Sequence, residues 1–550
     1  MEKYKLQKLD KFSGREGPLV LIIMDGVGLG EKNNKNAVYL ANTPYLDRLQ
    51  KECSEKNLYT KLKTHGTAVG LPTDKEMGNS EVGHNALGTG RIIKQRATLA
   101  KEATLSGNLF KTDKWINLME KIKGEETTLH FFGLLSDGYV HSHISHLFGL
   151  LEGARDSNIK IVRVHTLLDG RDVPPQSALH YIDQLENKLE KINVNGSFDY
   201  QIASGGGRMR VTMDRYYSDW EVVRRGWDAH VCGIPEQHSD YKGWFKTATE
   251  AIKRARDIDP DISDQYLPSF VIVDENKNSI GKMNDGDGVI NFNFRGDRAI
   301  EISQAFENKD YNFKKKCHPQ VHYYGLLQYD KKMNLPNNYF IDPPEVDDPL
   351  SKYLCNEHIK QYALAETHKF GHITYFWNGN KEGYVCKDYE KYVEIKSDPS
   401  EMIENNPKMK AIEVKEELIK TLESQAFDFL RVNWANGDMV GHTGNIQSAI
   451  NAVETVDQCV KDAVDKVMEL GGIAVVTADH GNLEEMDMKH KTAHSLNPVM
   501  FGIIDSNYNG EYQIRKDLKE LGLGNVAATL LNLMGFKKPD SFMESLITFR

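Results

Sequence analysis

Two stretches of this chain carry residue types and spacings that could do chemistry together. The first, Met77-Gly78-Asn79-Ser80-Glu81-Val82-Gly83-His84-Asn85, sets a serine between glycines. Small neighbours let the backbone turn sharply and leave the hydroxyl approachable. A serine hydroxyl is a weak nucleophile at neutral pH, so Ser80 needs an activator: a histidine held by a carboxylate, or a metal ion. The second stretch, Ala474-Val475-Val476-Thr477-Ala478-Asp479-His480-Gly481-Asn482, is an apolar run that ends in a carboxylate and an imidazole, which favours the metal. Alone, the first stretch reads as a glycine-rich surface loop. Beside the second, it reads as chemistry.

Four more residues complete a candidate ligand set. Asp25 follows the apolar run Pro18–Met24, and His494 lies in the polar loop Lys491-Thr492-Ala493-His494-Ser495. Asp438 and His442 are spaced i, i+4, so one helical turn or a tight loop aims both at a single ion. With Asp479 and His480 this makes a mixed oxygen and nitrogen set, more than one small ion takes, and a pair of ions fits better. Carboxylates suit Mn²⁺ or Mg²⁺, and imidazoles pull toward Mn²⁺ or Zn²⁺.

The elements that must position these residues follow from hydrophobic patterning. Leu19–Met24 is a continuous apolar run, as in a parallel strand buried on both faces. Asp25 then sits at the carboxyl end, where open α/β sheets place ligands. Thr43–Lys51 reads as a helix with Thr43 as N-cap and Pro44 at its first position. Phe427–Asn433 is a further strand leading into Asn436–His442, and Ile446–Met468 has helical periodicity. Three apolar runs, far apart in sequence, thus each end in a carboxylate, and parallel strands would bring the three ends to one edge of one sheet.

Between them, Leu129–Leu135, Ile161–Leu167, Phe270–Val273 and Val289–Phe294 form a separate strand and helix alternation, which implies a second α/β domain. The return crossing is expected at Asn338–Pro344, where two prolines suit a linker. The expected organisation is one domain from residues 1–94 and 338–550, with residues 95–337 inserted in it.

At 550 residues the chain exceeds one ordinary core. Its 40% hydrophobic and 27% charged content is that of a soluble globular protein. A net charge of −10 argues against nucleic acid or an anionic membrane as partner. Cys53, Cys232, Cys317, Cys355, Cys386 and Cys459 are scattered without a CxxC pair, which implies reduced thiols and a cytoplasmic home. Met1–Gly17 lacks a signal-peptide pattern, and Leu19–Met24 is too short to span a bilayer.

These residues, with Asp137-Gly138-Tyr139-Val140-His141-Ser142-His143, Asp169-Gly170-Arg171-Asp172-Val173-Pro174-Pro175, Gly207-Arg208 through Met213-Asp214-Arg215-Tyr216, and Asn293-Phe294-Arg295-Gly296-Asp297-Arg298-Ala299, resemble the 2,3-bisphosphoglycerate-independent phosphoglycerate mutases. The resemblance spans nearly the whole chain. It implies an alkaline-phosphatase-like domain interrupted by a transferase domain, both α/β. It also implies interconversion of 3-phosphoglycerate and 2-phosphoglycerate through a phosphoserine on Ser80, with two divalent ions and no 2,3-bisphosphoglycerate. Carried over by residue, one manganese site is Asp438, His442 and His494, and the other is Asp25, Ser80, Asp479 and His480. Mg²⁺ or Co²⁺ serves in some members. Lys369 stands by the phosphoryl group, and His141, Arg171, Asp172, Arg208, Arg215, Arg295 and Arg298 bind the glycerate, with Asp172 as acid/base. Gly207–Arg215 is one residue longer than in many bacterial members and resembles the plant and protist branch, which leaves Arg210 as an alternative to Arg208. A small-molecule substrate and a monomeric enzyme are expected. The rival reading is another phosphomonoesterase or phosphomutase of the alkaline-phosphatase-like class.

Overall fold

Leu19–Met24 is a strand with every residue buried, which is what a run of six apolar side chains requires of a central strand. It lies in the middle of a seven-stranded sheet. From edge to edge the strands are Glu390–Ile395, Gln361–Glu366, Phe429–Trp434, Leu19–Met24, Ile473–Thr477, Val499–Asp505 and Tyr59–Leu62. The first five are parallel, and each of the last two pairs antiparallel with the strand before it. Asp25, Asp438 and Asp479 therefore follow three adjacent parallel strands at the same end of the sheet.

The structure is a computed structural model describing residues 4–124, 127–215, 217–238, 240–342, 346–399, 402–486 and 493–550. Tyr216, Pro343, Pro344, Lys491 and Thr492 lie outside those residues. The chain packs as two units, Met1–Gln95 with Pro344–Arg550, and Arg96–Pro343.

In the first unit the helix Ile446–Glu469 buries Ala449, Ala452, Val453, Val456, Val460, Ala463, Val464 and Val467, a stripe at three- and four-residue spacing. Asn445 caps it by accepting from the Gln447 and Ser448 amides. Pro44–Glu55 is helical with Pro44 in its first turn, but the Thr43 side chain makes no capping bond. The Asp457 carboxylate takes that role from the neighbouring helix, accepting from the Tyr45 amide at 3.3 Å and the Leu46 amide at 2.7 Å.

The second unit has an eight-stranded sheet in the order Tyr339–Ile341, His322–Leu327, Gly288–Asn291, Leu129–Leu135, Ile161–Leu168, Asp199–Gly207, Phe270–Ile272 and Trp244–Phe245. The first six strands are parallel. Two expectations are corrected here. Tyr339–Ile341, assigned to the return crossing, is instead the edge strand of this sheet, because its backbone pairs with Gly325 and Leu327. The cysteines are not all thiols: Cys232–Cys317 and Cys355–Cys386 are disulfides, leaving Cys53 and Cys459 free and buried. The partners lie 85 and 31 residues apart, so no local spacing announces them, and the composition argument for a cytoplasmic home loses its footing. Among the described residues no helix is long and apolar enough to cross a membrane.

Candidate active site and metal centre

The carboxyl ends of the three central strands of the first unit converge on Ser80. Asp438 sits in the short helix Asn436–Gly441, directly after Phe429–Trp434, and its amide donates to the Asp25 carbonyl at 2.9 Å. Ser80 does not sit on the sharp turn expected of it. It begins the helix Ser80–Thr89, whose N-cap Asn79 accepts from the Val82 amide. The glycines around it serve close approach instead. A Cβ on Gly78 would lie 1.9 Å from the Thr64 carbonyl oxygen, and one on Gly83 would lie 2.8 Å from the Asp479 carbonyl oxygen. Ser80 is only 4% exposed, so the helix start is pressed against the sheet edge.

The Ser80 hydroxyl meets three partners. Lys369 Nζ donates to its Oγ at 2.5 Å, His480 Nε2 lies at 3.0 Å, and Oγ donates to Asp25 Oδ1 at 3.1 Å. Lys369 comes from the helix Thr367–Gly371, which follows the strand Gln361–Glu366. Its ammonium also contacts Asp438 Oδ2 at 2.6 Å and Asp25 Oδ1 at 2.8 Å. Asp438 Oδ1 in turn lies 3.2 Å from His442 Nε2 and 3.0 Å from His494 Nε2. His480 Nε2 lies 3.5 Å from Asp25 and 3.7 Å from Asp479. All seven expected metal-site residues and Lys369 are thus in one cluster.

Its electrostatics fit divalent cations. Three buried carboxylates share this site, an arrangement that needs positive charge to persist. Burial works against charge on Asp438 and Asp479, yet Lys369 and His480 hold both carboxyls well below the usual carboxylate range. Burial also disfavours a charged His480, but Asp479 and Asp25 push it up to about 10. A proton on His480 thus does part of what a cation would do. Asp479 Oδ2 is buried and makes no well-formed hydrogen bond, its neighbour His84 Nδ1 standing at 3.3 Å. Asp438, His480 and His494 each bring a ligand atom within 4.8 Å of the others, and so do Asp25, His84 and Asp479.

His84 and Asn433 were missed by the sequence reading. His84 Nδ1 lies 2.9 Å from the Ser80 carbonyl and 3.3 Å from Asp479 Oδ2, while Asn433 donates to Asp25 Oδ2 at 2.7 Å and meets His84 Nε2 at 3.1 Å. The i, i+4 spacing of Ser80 and His84 places both on one helix face and was a usable signal. Asn433 carried none, being one residue within an apolar strand.

In the second unit the remaining candidates follow four adjacent parallel strands. His141 comes after Leu129–Leu135, Arg171 and Asp172 after Ile161–Leu168, Arg208 after Asp199–Gly207, and Arg295 and Arg298 after Gly288–Asn291. Burial, then Arg208, Arg295, Arg298 and Arg215, pushes the His141 imidazole down to about 2. Burial, then Arg208 and Arg215, also lowers Arg298. Arg208 donates to Asp169 Oδ1 at 2.8 Å and to Asp172 Oδ2. Arg210 pairs instead with Glu236 at 2.8 Å, so Arg208 is the one that joins the cluster. Arg171 is exposed, though its charge is felt at Arg298. Four cations around a neutral imidazole make a site for a small polyanion.

Comparison with known proteins agrees with this geometry. Residues 17–538 match the family model described as Metalloenzyme superfamily. The 2,3-bisphosphoglycerate-independent phosphoglycerate mutases of Zea mays and Mesembryanthemum crystallinum are each 44% identical over 545 residues, covering 96% of this chain and 95% of theirs. The solved phosphoglycerate mutase of Leishmania mexicana, determined at low cobalt concentration, matches with a TM-score of 0.71 and 40% identity, over 99% of this chain and 100% of that one. With its serine, lysine and clustered ligands at the carboxyl edge of one sheet and its arginines at that of another, the chain belongs to the family of 2,3-bisphosphoglycerate-independent phosphoglycerate mutases.

Proposed function

We propose that this chain interconverts 3-phosphoglycerate and 2-phosphoglycerate by carrying the phosphoryl group on Ser80 Oγ, without 2,3-bisphosphoglycerate. The observation that carries the reading is the contact of Ser80 Oγ with Lys369 Nζ at 2.5 Å amid three buried carboxylates. Ser80 attacks phosphorus, and the hydroxyl proton leaves toward Asp25 Oδ1, which it already meets at 3.1 Å. Lys369 offsets charge on the phosphoryl oxygens, and the N-terminus of the Ser80–Thr89 helix adds partial positive charge there. Asp438, His442 and His494 would hold one divalent ion, and Asp25, Ser80, Asp479 and His480 the other. When bound, such ions supply Lewis-acid stabilisation of charge on the reacting oxygens. The ligand chemistry suits Mn²⁺, Mg²⁺ or Co²⁺.

The arginines hold the glycerate carboxylate through paired hydrogen bonds while the phosphoryl group resides on Ser80. Asp172, kept in place by Arg208, moves protons between the glycerate O3 and O2. Return of the phosphoryl group to O2 gives 2-phosphoglycerate. The test is 2-phosphoglycerate formation from 3-phosphoglycerate, coupled to enolase, with no bisphosphate present, before and after chelation. Activity that needs added metal but no bisphosphate supports the reading. Release of inorganic phosphate in place of 2-phosphoglycerate would make the protein a hydrolase.

A further inference from the structure

We infer that Asp297 is a positioning residue that holds His141 as the neutral tautomer protonated on Nδ1, so that Nε2 accepts a hydrogen bond from a hydroxyl of the glycerate. This rests on the mutase reading above. His141 Nδ1 lies 3.5 Å from Asp297 Oδ1. Both atoms are buried, and neither has a hydrogen-bond partner; Asp297 Oδ2 is in the same state. A buried carboxylate needs compensating charge, which here comes from arginines and leaves the His141 contact to orient the ring.

An imidazole nitrogen facing a carboxylate oxygen is held there only as the N–H form, since two lone pairs repel. The second nitrogen then carries the lone pair. The separation of 3.5 Å is long for a hydrogen bond, and contacts of this kind tighten when substrate binds. Arg295 Nε at 3.1 Å from the same oxygen, and Arg215 Nη1 at 3.9 Å from the other, keep the carboxylate beside the ring. Burial and the four arginines also keep the ring from taking a second proton, which preserves the lone pair.

The consequence is specificity. Arginine only donates hydrogen bonds, so Arg208, Arg215, Arg295 and Arg298 suit anionic oxygens and none can accept the proton of a substrate O–H. Like the Asp172 carboxylate, His141 Nε2 is an acceptor, and it tells a hydroxy acid from an analogue bearing only anions. A buried acceptor left unpaired rejects the analogue strongly.

The test is ring ¹⁵N NMR of the full chain labelled at histidine, with the His141 signals assigned by their loss in His141→Gln. The substrate-free protein is expected to show a protonated Nδ1 and a lone-pair Nε2 on His141. In Asp297→Ala that tautomer should lose its dominance. Mutase kcat should fall about 10–100-fold, the usual effect of losing a group that orients a site histidine. KM for 3-phosphoglycerate should stay within about threefold. Asp297→Leu, which keeps side-chain bulk without an acceptor, supplies the same readout if the alanine variant fails to fold. A ring protonated on Nε2 in the unaltered protein, a tautomer indifferent to both substitutions, or a loss falling wholly on KM would each overturn the inference. The tautomer is read without substrate, so an unaltered protein that forms no 2-phosphoglycerate sinks the mutase reading while the NMR result still decides the tautomer.

Discussion

Lys369 Nζ donates to Ser80 Oγ at 2.5 Å while touching Asp438 and Asp25 at 2.6 and 2.8 Å, so one ammonium serves both the serine and its surrounding carboxylates. That double duty separates its effect on activity from its effect on stability.

Lys369→Met should therefore lower kcat/KM by about 10²–10³, the scale of losing one preorganised donor to a transition-state charge. Without divalent ions it should also destabilise the first unit by about 3–5 kcal/mol, because two buried carboxylates lose their counter-ion. Added Mn²⁺ should restore much of the stability and little of the rate. Denaturant unfolding with and without chelator, beside the coupled assay, reads both effects. Equal destabilisation with and without metal would refute the counter-ion role.

Ser80→Ala should abolish turnover and leave fold and metal uptake largely intact, since the carboxylates and imidazoles remain. Intact mass after brief exposure to 3-phosphoglycerate should show a phosphorylated fraction in the unaltered protein and none in the variant. Residual mutase activity above a thousandth would move the nucleophile elsewhere, since removing a nucleophile costs about 10⁶ in kcat in a comparable site.

How far the sequence reached depends on what kind of signal each residue leaves. Asp25, Asp438 and Asp479 were legible because each follows an apolar run, and buried parallel strands must be apolar along their length. Their convergence then required only that Phe429–Trp434, Leu19–Met24 and Ile473–Thr477 be neighbours, as they are. Asp457 was illegible as the cap of Pro44–Glu55, because it acts across more than 400 residues of chain. The disulfides were illegible because partners 85 and 31 residues apart leave no local spacing. Asp297 was quoted only as part of a motif. Its place against His141 depends on two loops following adjacent strands, and no pattern of hydrophobicity encodes that register.

The second unit should be acid-labile for a reason outside its arginine site. Asp287, His130, His165, Ser204 and His230 form a buried hydrogen-bonded chain, with successive contacts of 3.2, 2.9, 2.6 and 2.7 Å. Burial lowers all three imidazoles despite Asp287, which raises His130, and Arg163 lowers both His130 and His165 further; His230 falls to about 3. Their folded values lie below the unfolded value of about 6.5, so the unfolded chain binds more protons as pH drops. The stability these rings contribute is complete above pH ~6.5 and lost as pH falls toward their folded values. Hydrogen exchange across Leu129–Leu135 and Ile161–Leu168 should show protection falling in that window, and His165→Gln should flatten the fall. Protection unchanged down to pH ~4, two and a half units below the unfolded histidine value, would mean the rings are not held neutral.

Cys355–Cys386 closes a segment of 31 residues that contains Gln361–Glu366 and the helix bearing Lys369. Cross-linking such a segment restricts the unfolded chain, so reduction should cost about 2–4 kcal/mol. Cys355→Ser should reproduce that loss in oxidising buffer, and reductant should then have little further effect on the first unit. Thiol titration in denaturant gives an independent reading. Without reductant only Cys53 and Cys459 should react, and after reduction all 6 cysteines should. If all of them react from the start, both cross-links are absent in solution, and the segment carrying Lys369 is held by its packing alone. The predicted stability loss on reduction would then vanish, so the two measurements must agree.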